Sequence, residues 1–365
     1  MFCSQKYLSS CLKWLLPILF FSFTAVAQQQ NINISFANFN FTADSSLSSL
    51  DAKTNSFPGL SMLVHQKTKG KNILGYTNAE KAVEIYFFPG KTKETALIIG
   101  GMHGSELSSI ELAENIVHKL SGDVVPEYNV LIIPRLFPDN ADCAATSLER
   151  KGKSGAGRYS SLHSVDPNRQ MPGLGKPFLS NQPFDAHGRM IETENQYLLR
   201  VIQEYKPARI ANLHAIRNVQ RAGIFADPRT DADGLALGFE ADSLLAFQMA
   251  SFICEGGGLA GGNFSNIAST FIYYKDPAAV PAGHFQPRNL AGSDLEGNRG
   301  AGISLGSWAT TAVNGTVFPR PAITLITVEF PGYSSSDFIK QEKERFNYLM
   351  NLELYTGAVM KYFLQ

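Results

Sequence analysis

Five short apolar runs separated by amphipathic stretches constrain this chain more than any other feature. Residues 83–88, 96–99, 130–133, 209–213 and 323–330 are rich in β-branched and other large apolar side chains and read as strands. Residues 105–120, 193–204, 240–254 and 336–364 carry apolar side chains at helical spacing. Continuous apolar strands need cover on both faces, and interleaved helices supply it, so the pattern predicts an α/β domain. Thr193, followed three residues later by Gln196 ahead of Tyr197-Leu198-Leu199, predicts a capping box and a helix start.

The amino terminus reads differently. Lys6 and Lys13 precede an apolar run over residues 14–23 that closes on Ala25-Val26-Ala27, the pattern of a secretory signal peptide over residues 1–27. The run is shorter than the roughly 20 apolar residues of a membrane span, and Pro17 and Ser22 interrupt it. A secreted or periplasmic product without a membrane span is therefore expected. Residues 28–74 read as a leader or edge element, and residues 75–365 as one large domain. Removing residues 1–27 takes away two lysines and no acids, leaving the 32 Asp and Glu nearly balanced by Lys and Arg. No positive field remains that would hold nucleic acid. Cys143 and Cys254 stay in the exported chain, where an oxidising compartment permits a disulfide without requiring one. They lack the spacing of a thiolate zinc site, so a metal would have to be held by histidine and carboxylate.

The residues that carry chemistry lie where the apolar runs end. Ala96-Leu-Ile-Ile-Gly-Gly-Met-His103-Gly-Ser-Glu106 reads as a buried strand, a glycine turn and a helix start. Glycines permit a tight turn, so an imidazole at the strand's carboxyl end and a carboxylate in the first helical turn can face one point. Open α/β sheets bind ligands at the carboxyl ends of their strands. A His-x-x-Glu arises easily by chance, but in this frame His103 and Glu106 are candidate metal ligands. Arg209-Ile-Ala-Asn-Leu-His214 ends another strand on a histidine. His214 is the candidate third ligand, since catalytic zinc takes three protein ligands and keeps one position open. Glu329 stands in the apolar run Thr324-Leu-Ile-Thr-Val-Glu-Phe. A carboxylate there either pairs structurally or works beside a cation, as a base that takes a proton from water. Asn168-Arg169, in a long Pro- and Gly-rich stretch, can grip a carboxylate through the arginine fork and an added amide donor.

In this order, His103/Glu106, Asn168-Arg169, His214 and Glu329 resemble the zinc carboxypeptidases of the M14 type, over roughly residues 75–364. The frames His-Gly-x-Glu, Asp-x-Asn-Arg-x-x-Pro-Gly and Val-Glu-Phe-Pro look most like the bacterial branch that includes the murein peptide amidases, which cut the γ-D-glutamyl–diaminopimelate bond of cell-wall peptides. The resemblance implies a three-layer α/β/α sandwich with a mixed, mostly parallel central sheet. It implies one Zn²⁺ per chain on His103, Glu106 and His214, with Glu329 as general base and Asn168 and Arg169 on the substrate's carboxylate. It also implies an arginine for the oxyanion upstream of Asn-Arg, for which Arg150 is the nearest counterpart and Arg158 its rival. The expected substrate is a peptide, with a peptidoglycan stem peptide favoured for an exported chain. The alternatives are a carboxypeptidase on general peptide C-termini, a small-amide deacylase, or a catalytically silent module that binds wall peptides.

The sequence also departs from the family. Its Asn-Pro-Asp-Gly turn stands here as Phe137-Pro-Asp-Asn140, and for its substrate-closing tyrosine only Tyr273 and Tyr274 offer themselves. The long spacing from His214 to Glu329 is assigned to a Pro- and Gly-rich insertion at residues 278–302. Glu296 in that insertion is a weaker rival base, because a Gly-flanked loop positions a carboxylate poorly.

Overall fold

The computed structural model describes residues 56–151, 156–160, 164–229, 240–264, 301–315 and 318–365. The signal segment, Tyr273, Tyr274, Glu296 and most of the 278–302 insertion lie outside these residues.

Seven strands form one sheet: β1 (Gly70–Tyr76), β2 (Ala82–Phe88), β3 (Thr95–Ile99), β4 (Asn129–Ile133), β5 (Arg209–Ile216), β6 (Gly223–Asp227) and β7 (Thr324–Pro331), in the order β1-β2-β4-β3-β5-β7-β6. The central four, β4-β3-β5-β7, are mutually parallel. β1, β2 and β6 complete the two edges antiparallel. The sheet is therefore mixed, with its parallel part at the centre.

Helices cover both faces. On one face α2 (Leu107–Ser121), α5 (Glu240–Glu255) and α7 (Glu342–Ala358) pack Ile116, Met249 and Tyr355 against Ile98, Leu213 and Val328. On the other, α1 (Pro58–Gln66), α4 (Thr193–Tyr205) and the short α6 (Leu305–Ala309) pack Leu60, Leu198 and Trp308 with Leu97, Ile99 and Ile210. Ile98, Leu97 and Ile99 are wholly buried, and truncating one such side chain to Ala costs roughly 2–5 kcal/mol. Successive strand residues alternate between the faces. In β5, Ala211, Leu213 and Ala215 join the first core, which leaves Asn212 and His214 on the second face. In β7, Ile326, Val328 and Phe330 do the same, leaving Thr327 and Glu329 on that second face.

Several boundaries differ from the sequence expectation. β5 continues to Ile216, so His214 lies inside a strand. The expected division between residues 74 and 75 falls inside β1, which pairs with β2. α1, α3 (Pro138–Lys151), α6 and β6 were not anticipated. Glu192, not Thr193, is the N-cap of α4, and its side chain makes no cap bond. Gln196 Nε2 donates instead to the Ile191 carbonyl at 2.8 Å, so the expected capping box does not form. The single helix expected over 336–364 is interrupted. Ser336 donates its backbone N–H to Glu111 Oε2 at 2.8 Å and its hydroxyl to Oε1, which ties a 3₁₀ turn at Ser336–Phe338 to α2 before α7 begins. Cys143 is exposed on α3 and Cys254 half-buried on α5, and both are free thiols. No helix among the described residues is long and apolar enough to cross a membrane.

Candidate metal centre

Glycine brings the first two side chains together. After β3 the chain reverses at Gly101, whose φ of +67° is a conformation that L side chains rarely adopt. Gly104 then passes so close to Asn140 and Ala141 of α3 that a Cβ would lie 2.3 Å from backbone atoms. His103 emerges between these glycines, and Glu106 follows as the N-cap of α2 rather than inside its first turn. The positive end of a helix favours a carboxylate there.

Three buried side chains converge. Glu106 Oε1 lies 2.9 Å from His103 Nδ1, and Glu106 Oε2 lies 3.0 Å from His214 Nδ1. The Ala215 N–H also donates to Oε2 at 3.0 Å, which ties the carboxylate to β5. The metal-capable atoms of His103, Glu106 and His214 all fall within 4.8 Å of one another, and all three residues are buried. Donors about 2.0–2.1 Å from a tetrahedral zinc stand roughly 3.3 Å apart. The two Glu–His separations lie within a few tenths of an ångström of that value, all three donors stay within 4.8 Å of one another, and two imidazoles with one carboxylate suit zinc, so the residues fit the ion.

The outer nitrogens are held as well. His103 Nε2 lies 2.8 Å from Asp166 Oδ1, and His214 Nε2 lies 3.3 Å from Asn168 Nδ2. Asp166 opens the turn Pro167–Arg169, accepting the Asn168 backbone N–H on Oδ1 at 2.9 Å. Buried Asn195 of α4 donates to the Pro167 carbonyl at 2.8 Å and fixes that turn from below. Leu305 N–H, at the start of α6, donates to Asn168 Oδ1 at 3.0 Å and sets the direction of the amide. The far end of α6 is gripped by buried Arg320, which donates to the carbonyls of Trp308, Ala309 and Thr311.

Burial is the largest influence on every titrating group here. It lowers the pKa of His214. On His103 the carboxylates of Glu106 and Asp166 outweigh it and push the imidazole up to about 9. On Glu106 and Asp166 the neighbouring imidazoles outweigh it, aided at Asp166 by Arg158, and both acids fall well below the usual carboxylate range. On Glu329 burial prevails, and Glu106 adds repulsion, so this carboxyl is pushed up to about 8. His214 and Glu329 are register partners on β5 and β7. Both line a cavity of about 270 Å³, together with His103, Glu106, Arg158, Asn168, Arg169 and Tyr333.

The structure thus brings six of the seven sequence candidates, His103, Glu106, Asn168, Arg169, His214 and Glu329, around one cavity. The seventh requires a correction. Arg150 is exposed in the last turn of α3 and does not line the cavity, whereas its rival Arg158 does. Arg158 Nη1 donates to Glu106 Oε1 at 3.1 Å and Nη2 to Asp166 Oδ2 at 3.3 Å. The reason is local packing. Gly157 lies against the Asn140 carbonyl, where a Cβ would approach within 2.0 Å, and Asn140 Nδ2 donates to the Tyr159 carbonyl at 3.0 Å. Those contacts clamp Arg158 over the cavity, while α3 carries Arg150 outward. Sequence reasoning also passed over Asp166 and Tyr333. Asp166 had a legible signal, because an acid before Pro in a loop that carries Asn-Arg is an Asx-turn former. Tyr333 had none.

The sequence model described as "Zinc carboxypeptidase" matches residues 41–222. The match takes in His103, Glu106, Arg158, Asp166, Asn168, Arg169 and His214 and ends before Glu329. No curated protein sequence matches the chain. Among solved structures, the carboxypeptidase A of Helicoverpa armigera is 14% identical, covering 82% of this chain and 71% of that one at a TM-score of 0.46. The murein-tripeptide amidase of Escherichia coli O157 is 18% identical, covering 78% of this chain and 92% of that one at a TM-score of 0.39.

Proposed function

Because the chain belongs to the zinc carboxypeptidase family, and is with it a metallopeptidase-type hydrolase, we propose that it is exported and hydrolyses an amide bond beside a free carboxylate in cell-wall peptides. One observation carries the chemistry: two imidazoles and a carboxylate converge within 4.8 Å, and Glu329 stands in register with one of them. The wall substrate is supported by the residues 1–27 export pattern and by the bacterial-branch frames around Glu106, Asn168 and Glu329.

His103, Glu106 and His214 would hold the zinc. When bound, the ion supplies Lewis acidity, lowering the pKa of water and polarising a carbonyl. The remaining work belongs to the side chains. Glu329, raised by its surroundings, accepts a proton from the attacking water and returns it to the departing amine. Arg158 directs a guanidinium into the cavity for the negative charge that develops on the carbonyl oxygen. Asn168 and Arg169 bind the substrate's free carboxylate, the arginine by its fork. Asp166 holds His103 in the orientation that turns Nδ1 towards Glu106.

The test is zinc content together with turnover of a γ-D-glutamyl–diaminopimelate peptide and of an N-blocked dipeptide, before and after chelation and zinc restoration. One zinc per chain with chelator-sensitive cleavage of the wall peptide is expected. Preference for the dipeptide would make the protein a general carboxypeptidase. Zinc without cleavage of either would leave a wall-peptide-binding module, a reading that Glu329 disfavours, since a binder needs no base.

A further inference from the structure

Tyr333 enters the metal-centre cavity from the loop that follows β7, four residues beyond Glu329. The chain turns at Gly332, whose φ of +90° is a conformation that L side chains rarely adopt. Hydrogen bonds pin the turn on both sides. The Gly332 N–H donates to the Ile216 carbonyl at the end of β5 at 2.9 Å, and the Ser108 N–H of α2 donates to the Tyr333 carbonyl at 3.2 Å. The Ser108 hydroxyl donates to the Gly332 carbonyl as well. Three residues further on, Ser336 is tied to Glu111 of the same helix. Tyr333 is thus held by the elements that carry His214, Glu106 and Glu329.

Its ring and its hydroxyl have different surroundings. The half-buried ring packs against the core of the first face, with the Arg217 guanidinium 5.0 Å from its centroid. The hydroxyl belongs to the cavity, where its charged neighbours are Glu106, Arg158, Arg217 and Glu329. Burial, reinforced by Glu106, raises the phenol's pKa, so it keeps its proton and stays a donor. Other phenols of the fold have spent that donor: Tyr348 on Glu111 Oε2 at 2.6 Å, Tyr355 on the Leu259 carbonyl at 2.7 Å and Tyr197 on the Tyr76 carbonyl at 3.1 Å. The Tyr333 hydroxyl makes no hydrogen bond among the described residues. Asn168 and Arg169 stand where the cavity meets a second, adjoining one, whereas Arg158 and Tyr333 line the first alone. Arg158 already shares its terminal nitrogens with Glu106 and Asp166, at 3.1 and 3.3 Å. A guanidinium divided between two acids leaves room for a second donor beside it.

We propose that Tyr333 is a catalytic residue whose phenol, beside Arg158, donates a hydrogen bond to the scissile carbonyl oxygen as negative charge develops there. The proton stays on the phenol throughout, so no bond to Tyr333 forms or breaks. A hydrogen bond to an ionised acceptor is roughly twice as strong as one to a neutral acceptor, so the donor contributes most in the transition state. Because the turn at Gly332 is pinned to β5 and α2, the hydroxyl waits in place and no segment has to close to deliver it. Base and donor then come from one strand end, Glu329 from β7 itself and Tyr333 from the turn that follows. The proposal rests on the reading that this cavity hydrolyses an amide.

Tyr333→Phe removes the hydroxyl and keeps the ring beside Arg217. In the zinc-loaded full chain acting on a γ-D-glutamyl–diaminopimelate peptide, kcat should fall by about 10²-fold, the lower end of losing one oxyanion donor, with KM within about twofold. Calorimetry supplies a measurement that needs no turnover. A phosphinate isostere of the peptide, whose tetrahedral oxygens stand in for the developing anion, should bind the Phe variant about 10²-fold more weakly, while free diaminopimelate binds both proteins alike. Tyr333→Leu gives the same comparison should the Phe variant not fold. A rise in KM at constant kcat, or equal weakening of both ligands, overturns the proposal by making Tyr333 a plain binding contact. Cleavage by the parent that the Phe variant matches would remove the tyrosine's role and leave the proposed function standing. Phosphinate binding that depends on Tyr333, without cleavage of any peptide, would do the reverse. A parent that neither cleaves the peptide nor binds the phosphinate overturns both.

Discussion

His214 and Glu329 face one another in register on adjacent parallel strands, β5 and β7. Interstrand hydrogen bonding fixes their backbones about 4.8 Å apart, so neither can drift relative to the other without breaking the centre of the sheet. Both point to the face that Leu213 and Val328 vacate by turning into the opposite core. A candidate metal-binding imidazole and a carboxyl raised by burial are thus held together by the hydrogen-bonded centre of the sheet.

That rigidity makes Glu329→Gln a clean substitution. The amide keeps the shape but cannot accept the proton, so turnover should fall by about 10²–10⁴ or more. Zinc content should stay at one per chain, because Glu329 is not among the converging donors. Metal analysis alongside single-substrate kinetics decides: zinc loss or undiminished turnover would remove Glu329 as the base.

Asp166 acts one bond further out. It orients His103 through Nε2 and holds the Asn168 turn through the backbone. Asp166→Ala should weaken zinc affinity by about 10–100-fold, the usual cost of losing a carboxylate behind a metal-binding histidine. Competition against a chelator of known affinity measures it. An unchanged zinc affinity would mean that the imidazole is positioned without the acid.

The sequence made the centre of this fold legible because its signals are local. β3, β4, β5 and β7 are short apolar runs, and the turn after β3 announces itself through Gly100, Gly101 and Gly104. The edges were harder. Gly70–Tyr76 is exposed or half-buried everywhere except Leu74 and includes Lys71 and Asn72, so its strand character comes from pairing with β2 rather than from composition. α3 has a chain of small and polar residues whose helical role depends on packing against Gly104 and Gly157. The choice between Arg150 and Arg158 was lost for the same reason. Proximity in sequence to Asn-Arg does not encode which arginine is clamped by Asn140.

The two arginines can be separated by experiment. Arg158→Ala should lower kcat by about 10²–10³, the scale of losing one donor to a developing oxyanion. Arg150→Ala, at an exposed helix position, should leave kcat within about twofold of the parent, since it contacts nothing in the cavity. Arg158→Lys restores charge without the fork and should recover only part of the loss. A large effect at Arg150 with none at Arg158 would return the role to Arg150.

Zinc loading should be coupled to protons with a defined sign. The metal-free His103 imidazole is pushed up to about 9, against the opposing effect of burial, by Glu106 and Asp166. At pH 7 it therefore carries a proton that must leave before Nδ1 can bind a cation. Lowering the pH strengthens the proton's claim, so zinc affinity should fall by about tenfold per unit below pH 9. Calorimetry at pH 7 in buffers of different ionisation enthalpy should find between one and two protons released per zinc bound, the first from His103 and the second from Glu329, which is raised to about 8. Asp166→Ala removes one of the two carboxylates that hold the proton, so the release at pH 7 should shrink even as zinc affinity drops. A merely structural defect would weaken binding and leave the proton count as it was.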